Sequence, residues 1–311
     1  MIGYQELYTS GELKRRAQQA FRMMARCQLC PHRCHINRLA GELGSCHTGR
    51  LAMVSNHGPH FGEEPPLVGE KGSGTVFFTN CSLRCVFCQN SNISQLGEGE
   101  PVSPEKLAHM MLSLQNQGCH NINLVTPTHV VPQILEALVI AASQGLTIPL
   151  VYNTSGYDSV DTLQLLDGII DIYMPDIKYS DEAVADRLSG ISHYPELNRA
   201  AVKEMFRQVG DLELDNKGIA IKGLLVRHLV LPFNQAGTKA IVRYLAEEIS
   251  KNTYINLMAQ YRPCYRATKY PLLNRQLRPE EFQEALKWAR EAGLHRIDGL
   301  ESSYSIQLLK K

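Results

Sequence analysis

The sequence has almost no net charge and no long hydrophobic run. Its 32 lysine and arginine residues nearly balance 31 aspartate and glutamate residues, for a formal net charge of +1. This balance gives no overall attraction for nucleic acid or for an anionic membrane, so we expect neither partner. No stretch reaches the roughly eighteen apolar residues of a membrane span, and residues 1–7 contain no apolar signal core. We therefore expect a cytoplasmic protein without a membrane segment.

Length and composition are typical of one globular catalytic domain with a small appendage. The chain has 311 residues and a mass of 34.8 kDa, with 44% hydrophobic and 20% charged residues. A single α/β barrel alone occupies roughly 250 residues, which leaves room for a short additional segment. We predict an N-terminal segment over residues 1–70 and a catalytic domain over residues 71–311.

From residue 72 onward, strand-like apolar runs alternate with predicted helices, which indicates a parallel sheet. The six predicted strands cover residues 75–79, 121–125, 149–153, 169–174, 221–230 and 254–258. A further helix is predicted over residues 10–25, ahead of the sheet. Residues 57–67 are rich in glycine and proline, so we expect no regular element there. Six strand-helix units are two short of a complete barrel, which predicts an α/β fold with a partial (β/α)6 barrel.

Seven of the nine cysteines fall into two groups, as metal ligands do in a cytoplasmic protein. One group, Cys81, Cys85 and Cys88, directly follows the first predicted strand. An iron-sulfur cubane normally takes four thiolates, so a loop that supplies three leaves one iron open to another ligand. A structural zinc loop, or thiols that only fill a core, is the alternative interpretation. It is less favoured because zinc sites are usually built from CxxC pairs and need four ligands.

The second group consists of four cysteines in the N-terminal segment: Cys27, Cys30, Cys34 and Cys46. Four soft ligands with one CxxC pair predict a closed metal site, which would hold zinc or a second iron-sulfur cluster. Zinc is slightly favoured. Three neighbouring histidines are alternative ligands: His32, His35 and His47. The remaining two cysteines, Cys119 and Cys264, are predicted to be buried thiols.

Polar side chains follow the predicted strands at their carboxyl ends, where barrels of this kind place catalytic residues. We predict cofactor contacts from seven of them: Thr126, Thr128, Asn153, Thr154, Asp176, Lys178 and Tyr261. Lys178 can pair with a carboxylate, while Asp176, Asn153 and Thr154 can bind hydroxyl groups or a cation. Turn formation is the alternative role for the residues around Asn153.

The CxxxCxxC spacing, with Phe87 before the last cysteine and a strand before the first, resembles the signature of the radical S-adenosylmethionine (SAM) superfamily. The resemblance implies a partial barrel, a 4Fe-4S cluster on Cys81, Cys85 and Cys88, and SAM bound at the open iron. It also implies that one electron from the cluster cleaves SAM to a 5′-deoxyadenosyl radical, which abstracts hydrogen from the substrate.

Residues 174–178, Met-Pro-Asp-Ile-Lys, resemble the segment of glycyl-radical-enzyme activases that supplies an aspartate and a SAM-binding lysine. Nearly the whole chain resembles the PflX-type branch of pyruvate formate-lyase activating-enzyme homologues. It departs from the activases at residues 126–128, where Thr-Pro-Thr replaces Gly-Gly-Glu, and at Tyr261, where activases have histidine. The resemblance therefore supports radical SAM chemistry more strongly than it supports activation of a formate lyase.

The sequence leaves three functional hypotheses. The leading one is a radical SAM enzyme that abstracts hydrogen from a protein substrate, which the four-cysteine segment docks, and that receives electrons from a flavodoxin- or ferredoxin-like reductant. The second is a radical SAM enzyme for a small molecule or RNA, which would need a closed pocket or a basic groove. The third is a non-catalytic iron-sulfur electron carrier or redox sensor, for which the polar strand ends would be superfluous.

Overall fold

The computed structural model describes residues 3–298. Residues 1, 2 and 299–311, at the two ends of the predicted domains, lie outside the described residues. The strands are β1 (Ala52–His60), β2 (Ser73–Phe78), β3 (Glu100–Val102), β4 (Ile122–Val125), β5 (Leu150–Thr154), β6 (Ile172–Pro175), β7 (Glu213–Leu214), β8 (Ala220–Leu229), β9 (Tyr254–Met258) and β10 (Ile297–Asp298). The helices are α1 (Gly3–Thr9), α2 (Glu12–Met23), α3 (Pro65–Val68), α4 (Ser91–Ser94), α5 (Pro104–Asn116), α6 (Val131–Ser143), α7 (Val160–Gln164), α8 (Glu182–Ser189), α9 (Tyr194–Val209), α10 (Thr238–Tyr244) and α11 (Pro279–Glu291).

Six long parallel strands form the centre of the sheet, and they correspond to the six strands that the sequence predicts. The sheet order is β10-β9-β8-β6-β5-β4-β2-β1-β3, with β7 paired to β8. Neighbours from β2 to β10 are parallel, whereas β1 is antiparallel to both β2 and β3. This order is a linear path and not a ring. The predicted fold class, an α/β partial barrel that follows a cysteine-rich N-terminal segment, is confirmed.

The helices lie outside the sheet because each has an apolar stripe that needs a partner. Helix α2 buries Leu13, Ala17 and Ala20, at spacings of four and three residues, and packs on α6. Gly11, with φ of 79°, separates α1 from α2, so the predicted helix over residues 10–25 begins at Glu12. Within residues 3–298, the structure contains no helix with the length and apolar character that a membrane crossing needs.

The prediction that residues 57–67 form no regular element is wrong at both ends of that range. His57 to His60 belong to β1, where His57 pairs with Val76 and Pro59 with Gly74 of β2. Residues 65–68 form the short helix α3. Pairing with β2 supplies the backbone hydrogen bonds that a local count of glycine and proline does not reveal. Only the short link from Phe61 to Glu64 is irregular.

The inner face of the barrel has an apolar base. Val151 of β5 and Leu225 of β8 are fully buried there, in a cluster that also contains Leu67 of α3. Side chains two positions apart on a strand face the same side. Asn153 and Arg227, each two residues further along these strands, therefore point into the same interior, nearer the carboxyl end.

Candidate active site

The loop with Cys81, Cys85 and Cys88 leaves the carboxyl end of β2, as the sequence predicts. Its backbone is fixed to the end of α8, because the N–H of Arg84 donates to Ser189 O at 2.9 Å. The N–H of Cys88 donates to Cys85 O at 3.2 Å, which closes a turn between the last two cysteines. The loop therefore has a defined shape that presents three thiols at one edge of the barrel.

Each of these thiols lies close to a polar group. The contacts are Leu83 N–H to Cys81 Sγ at 3.4 Å, Ser189 Oγ to Cys85 Sγ at 3.0 Å, and Ser94 Oγ to Cys88 Sγ at 3.0 Å. Burial raises the pKa of Cys81 to about 12 and also raises the pKa of Cys85, while the nearby Lys178 ammonium opposes both shifts. Iron takes up thiolates and so replaces the proton, and hydrogen bonds to sulfur stabilise the bound form. This donor set fits a cluster with one open iron.

In the part of the chain that the structure describes, no three Cys, His, Asp or Glu side chains are arranged as ligands of one metal ion. A cubane distributes its thiolates over separate iron atoms, so its ligands do not share one ion. The three thiols are close enough to interact, since Cys85 and Cys88 both raise the pKa of Cys81. Phe87 of the loop packs against two aromatic rings, with its ring 6.4 Å from that of Tyr179 and 6.0 Å from that of Tyr261.

A cavity of about 530 Å³ lies between this loop and the carboxyl ends of the strands. Its volume is in the range of roughly 300–1,000 Å³ that small-molecule sites occupy. The cavity brings together five of the predicted site residues: Cys85, Cys88, Asn153, Asp176 and Lys178. Two of the three loop thiols and three polar side chains at the strand ends therefore share one space, whereas Cys81 does not line it.

Asp176 lies at the centre of a charged group in this cavity. Its carboxylate accepts from Lys178 Nζ at 2.6 Å and from Arg227 Nε at 2.9 Å. Arg227 Nη2 also donates to Asn153 Oδ1 at 2.7 Å. Burial acts to raise the pKa of Asp176, but Arg227 and Lys178 together hold it below its ordinary value. The carboxylate is therefore ionised at neutral pH, and its two cations are oriented by it.

Four further polar residues, which are not among the predicted site residues, also line the cavity: Glu63, Glu64, Arg227 and Asn256. Arg227 Nη1 lies 3.6 Å from Glu63 Oε2, and Asn256 Nδ2 donates to Glu64 Oε1 at 2.9 Å. The side chains of Glu63 and Glu64 are only 8% and 4% exposed. Arg227 carried a signal that could have been used, because it is a charged residue within the apolar run of residues 224–230.

Four other predicted cofactor residues, Thr126, Thr128, Thr154 and Tyr261, do not line this cavity. The hydroxyls of Thr128 and Thr154 donate to the buried carboxylate of Asp158, at 2.7 and 2.6 Å. The Tyr261 hydroxyl donates to a backbone carbonyl, Leu273 O, at 2.7 Å. Thr126 N–H donates to Asn153 O at 2.8 Å. These hydrogen bonds give the four residues structural partners behind the cavity wall.

The N-terminal cysteines surround a small enclosed space of their own, lined by all four: Cys27, Cys30, Cys34 and Cys46. Burial raises the pKa of Cys30, and the other three thiols raise it further. A side chain at Gly44 would press against Cys34, since an added Cβ would lie 2.8 Å from its sulfur. The four thiols therefore share one space, although within residues 3–298 they are not arranged as ligands of a single metal ion.

This four-cysteine segment lies directly against the loop of Cys81, Cys85 and Cys88 (the cluster loop). His32 Nε2 donates to Ser82 O at 2.7 Å, and Asn80 Nδ2 donates to Thr48 Oγ1 at 3.2 Å. Arg84 in the loop also donates to Ser45 O. His32 therefore has a partner in the loop, and the segment supports the edge of the barrel where the three thiols lie.

Comparison with known proteins agrees with this geometry. Residues 75–213 match the family model described as the radical SAM superfamily. The chain is 32% identical over 281 residues to an uncharacterized protein of Methanocaldococcus jannaschii, and the alignment covers 87% of this chain and 76% of that protein.

One solved structure is similar in fold, and a second superimposes with a lower score. A radical SAM methyltransferase from Sphaerobacter thermophilus superimposes with a TM-score of 0.50 at 12% identity, over 71% of this chain and 64% of the methyltransferase. HydG, a maturase of the [FeFe]-hydrogenase, gives a TM-score of 0.47 at 14% identity, over 69% of this chain and 47% of HydG. With its family match, its relative and the three-thiol loop at the carboxyl edge of a partial barrel, the chain belongs to the radical SAM superfamily of enzymes.

Proposed function

We propose that this enzyme cleaves SAM reductively and abstracts a hydrogen atom from a protein substrate, in the manner of an activating enzyme. The observation that carries the proposal is the shared cavity of Cys85, Cys88, Asp176 and Lys178. When bound on Cys81, Cys85 and Cys88, a 4Fe-4S cluster would supply the electron that splits SAM into methionine and a 5′-deoxyadenosyl radical. The role of the chain is to hold SAM and the substrate in the same water-poor space.

The charged group in the cavity would orient SAM. The Lys178 ammonium is a partner for the SAM carboxylate, while Asn153 and Asp176 present an amide and a carboxylate to ribose hydroxyls. Arg227 fixes the orientation of both, because it donates to each of them. A simple electron carrier has no use for this set of buried charges, which supports the enzyme over the carrier hypothesis.

A protein substrate is supported by the resemblance to activating enzymes and by the position of the four-cysteine segment. That segment contacts the cluster loop through Asn80, Ser82 and Arg84, so a protein docked on it would lie beside the reactive edge. A flavodoxin- or ferredoxin-like protein is the proposed reductant, since the chemistry needs single electrons. We also propose that the chain belongs to the PflX-type branch of pyruvate formate-lyase activating-enzyme homologues.

We also propose that the four N-terminal cysteines bind zinc or a second iron-sulfur cluster in a closed site. All nine cysteines are free thiols, which supports a reducing compartment such as the cytoplasm. Metal analysis of anaerobically purified protein would test the site. We expect a Cys30→Ser variant to lose that metal while Cys119→Ser retains it, and equal metal content in both variants would contradict the proposal.

Anaerobic reconstitution with iron and sulfide tests the central activity. The loaded protein is reduced with dithionite in the presence of SAM, and 5′-deoxyadenosine is measured. We expect production by the wild type, none by Cys85→Ala, and normal production by Cys119→Ala, which removes a buried thiol remote from the loop. A fully loaded wild-type protein that cleaves no SAM would favour the electron-carrier hypothesis.

A further inference from the structure

On the side of the cavity formed by β4, β8 and β9, the wall changes from apolar to polar with depth. On three strands an apolar side chain near the carboxyl end is followed, two positions deeper, by a polar one. These pairs are Val125 above Asn123 on β4, Leu229 above Arg227 on β8, and Met258 above Asn256 on β9. Both members of each pair face the interior, because side chains alternate along a strand. A molecule that enters past the cluster loop therefore meets an apolar collar before a polar chamber.

The polar chamber has more carboxyl groups than cations. Three carboxylates, Glu63, Glu64 and Asp176, face only two cations, Lys178 and Arg227. Burial raises the pKa of Glu63 in spite of the nearby guanidinium of Arg227. Within the described residues, the other charged or titratable groups on the cavity wall are His60, Asp298 and the thiols, and none of them brings a permanent positive charge. A further cation in the chamber would oppose the effect of burial on Glu63 and stabilise its ionised carboxylate.

Two buried side chains in this chamber have polar atoms without a hydrogen-bond partner among residues 3–298. They are Glu64, through Oε2, and Asn123, through its amide oxygen Oδ1. Asn123 is fully buried, and its side chain interacts with Glu63 and lowers the pKa of that carboxyl. Buried polar atoms in native proteins nearly always have partners, so these atoms indicate a place for a ligand that donates hydrogen bonds.

On the basis of the proposed function, we propose that the substrate enters this cavity as an alkyl chain that ends in a positively charged amino or guanidino group, such as a lysine side chain. The methylene groups would lie against the collar of Val125, Leu229 and Met258. The cation would reach the chamber and donate to Glu64 and Asn123. This arrangement leaves the methylene carbons nearest the cluster loop as the source of the abstracted hydrogen.

Binding of 1,5-diaminopentane to the reconstituted protein, measured by equilibrium dialysis, tests the inference. We expect the wild type to bind it and to discriminate against 1,5-pentanediol, which has the same length and no charge. A charge-assisted hydrogen bond contributes about 10- to 100-fold in affinity, so Glu64→Gln should weaken diamine binding by that factor. Glu63→Gln is a second variant in case Glu64→Gln does not fold. The matched control is Glu70→Gln, at an exposed position in the same segment.

Competition then identifies the source of the cation. Displacement of the diamine by Nα-acetyl-lysine methylamide would support a protein side chain, and resistance to it would support the same chemistry on a small molecule. Equal diamine affinity in Glu64→Gln and wild type overturns the inference, as does an equal loss of SAM binding, which would assign the acid to SAM. A wild type that cleaves SAM but binds no diamine overturns only this inference, whereas failure to cleave SAM overturns the proposed function.

Discussion

Replacement of Arg227 by glutamine is expected to lower the free energy of unfolding by about 3–5 kcal/mol at neutral pH. Its side chain is 18% exposed and faces Asp176, Glu63 and Glu64, at distances of 2.9, 3.6 and 4.0 Å. Removal of one partner from a buried ion pair leaves an uncompensated charge, which costs roughly this amount. Glutamine preserves hydrogen-bonding capacity and much of the volume, so the measured loss reports mainly on the charge.

The loss of unfolding free energy in Arg227→Gln should become smaller as the pH falls. Arg227 and Lys178 hold the pKa of Asp176 below its ordinary value, against the effect of burial. A carboxyl with a depressed pKa contributes stability above its unfolded pKa of about 3.9 and loses it as the pH falls through the folded pKa. The difference between wild type and Arg227→Gln should therefore be largest near pH 7 and should shrink in acid.

Urea unfolding at pH 7 and at acidic pH, followed by circular dichroism, measures both quantities. The matched control is Arg243→Gln, because Arg243 pairs with Glu247 at 2.8 Å on the surface, with the two side chains 73% and 57% exposed. Such a pair contributes at most about 1 kcal/mol. A loss for Arg227→Gln no larger than for Arg243→Gln, or one that does not change with pH, would refute the idea that Arg227 compensates the buried carboxylates of the chamber.

Three further predictions concern the frame of the site. His228 is fully buried, with both ring nitrogens hydrogen-bonded, and burial lowers its pKa to about 4. Because its pKa in the unfolded chain is about 6.5, the wild type should lose on the order of 3 kcal/mol of unfolding free energy as the pH falls from about 6.5 to about 4. His228→Gln should not show this loss when both proteins are compared by urea unfolding. Thr128→Val removes a donor to Asp158 and should cost about 1–3 kcal/mol, with the KM for SAM unchanged; a raised KM would return Thr128 to the cofactor site. Gly156 has φ of 72° and no room for a Cβ beside Asn198 and Asp176 O, so Gly156→Ala should lower stability by at least about 1–3 kcal/mol, and an unchanged melting temperature would contradict this.

Much of the fold could be predicted because its parallel strands are buried on both faces. Such strands appear in the sequence as short continuous apolar runs, as in residues 150–152 and 224–226. The cluster loop was predictable for another reason, since three thiols at short spacing need no tertiary information. Strand β1 was missed because its regularity comes from β2 and β3, which hold it from both sides.

The interior of the site could be predicted only in part. Asp176 and Lys178 are two residues apart, so their common direction follows from strand geometry. Arg227 and Glu63 meet across the whole barrel, and no local pattern relates them. Thr128 occupies a predicted strand end, yet its hydroxyl turns to the buried Asp158, which competes with the cavity for that donor. The direction of a side chain at a strand end depends on such competition.

Strand β8 illustrates how stability and reactivity are separated in this barrel. Leu225 belongs to the apolar base, Arg227 to the polar chamber, and Leu229 to the collar below the cluster loop. Each step of two residues advances about 6–7 Å along the strand, so the apolar base lies well below the thiols. Charges in the chamber are costly to bury, and the apolar base together with the outer helices offsets that cost. Substitutions in the chamber should therefore alter ligand binding before they alter the fold, except where, as at Arg227, they leave buried carboxylates without a cation.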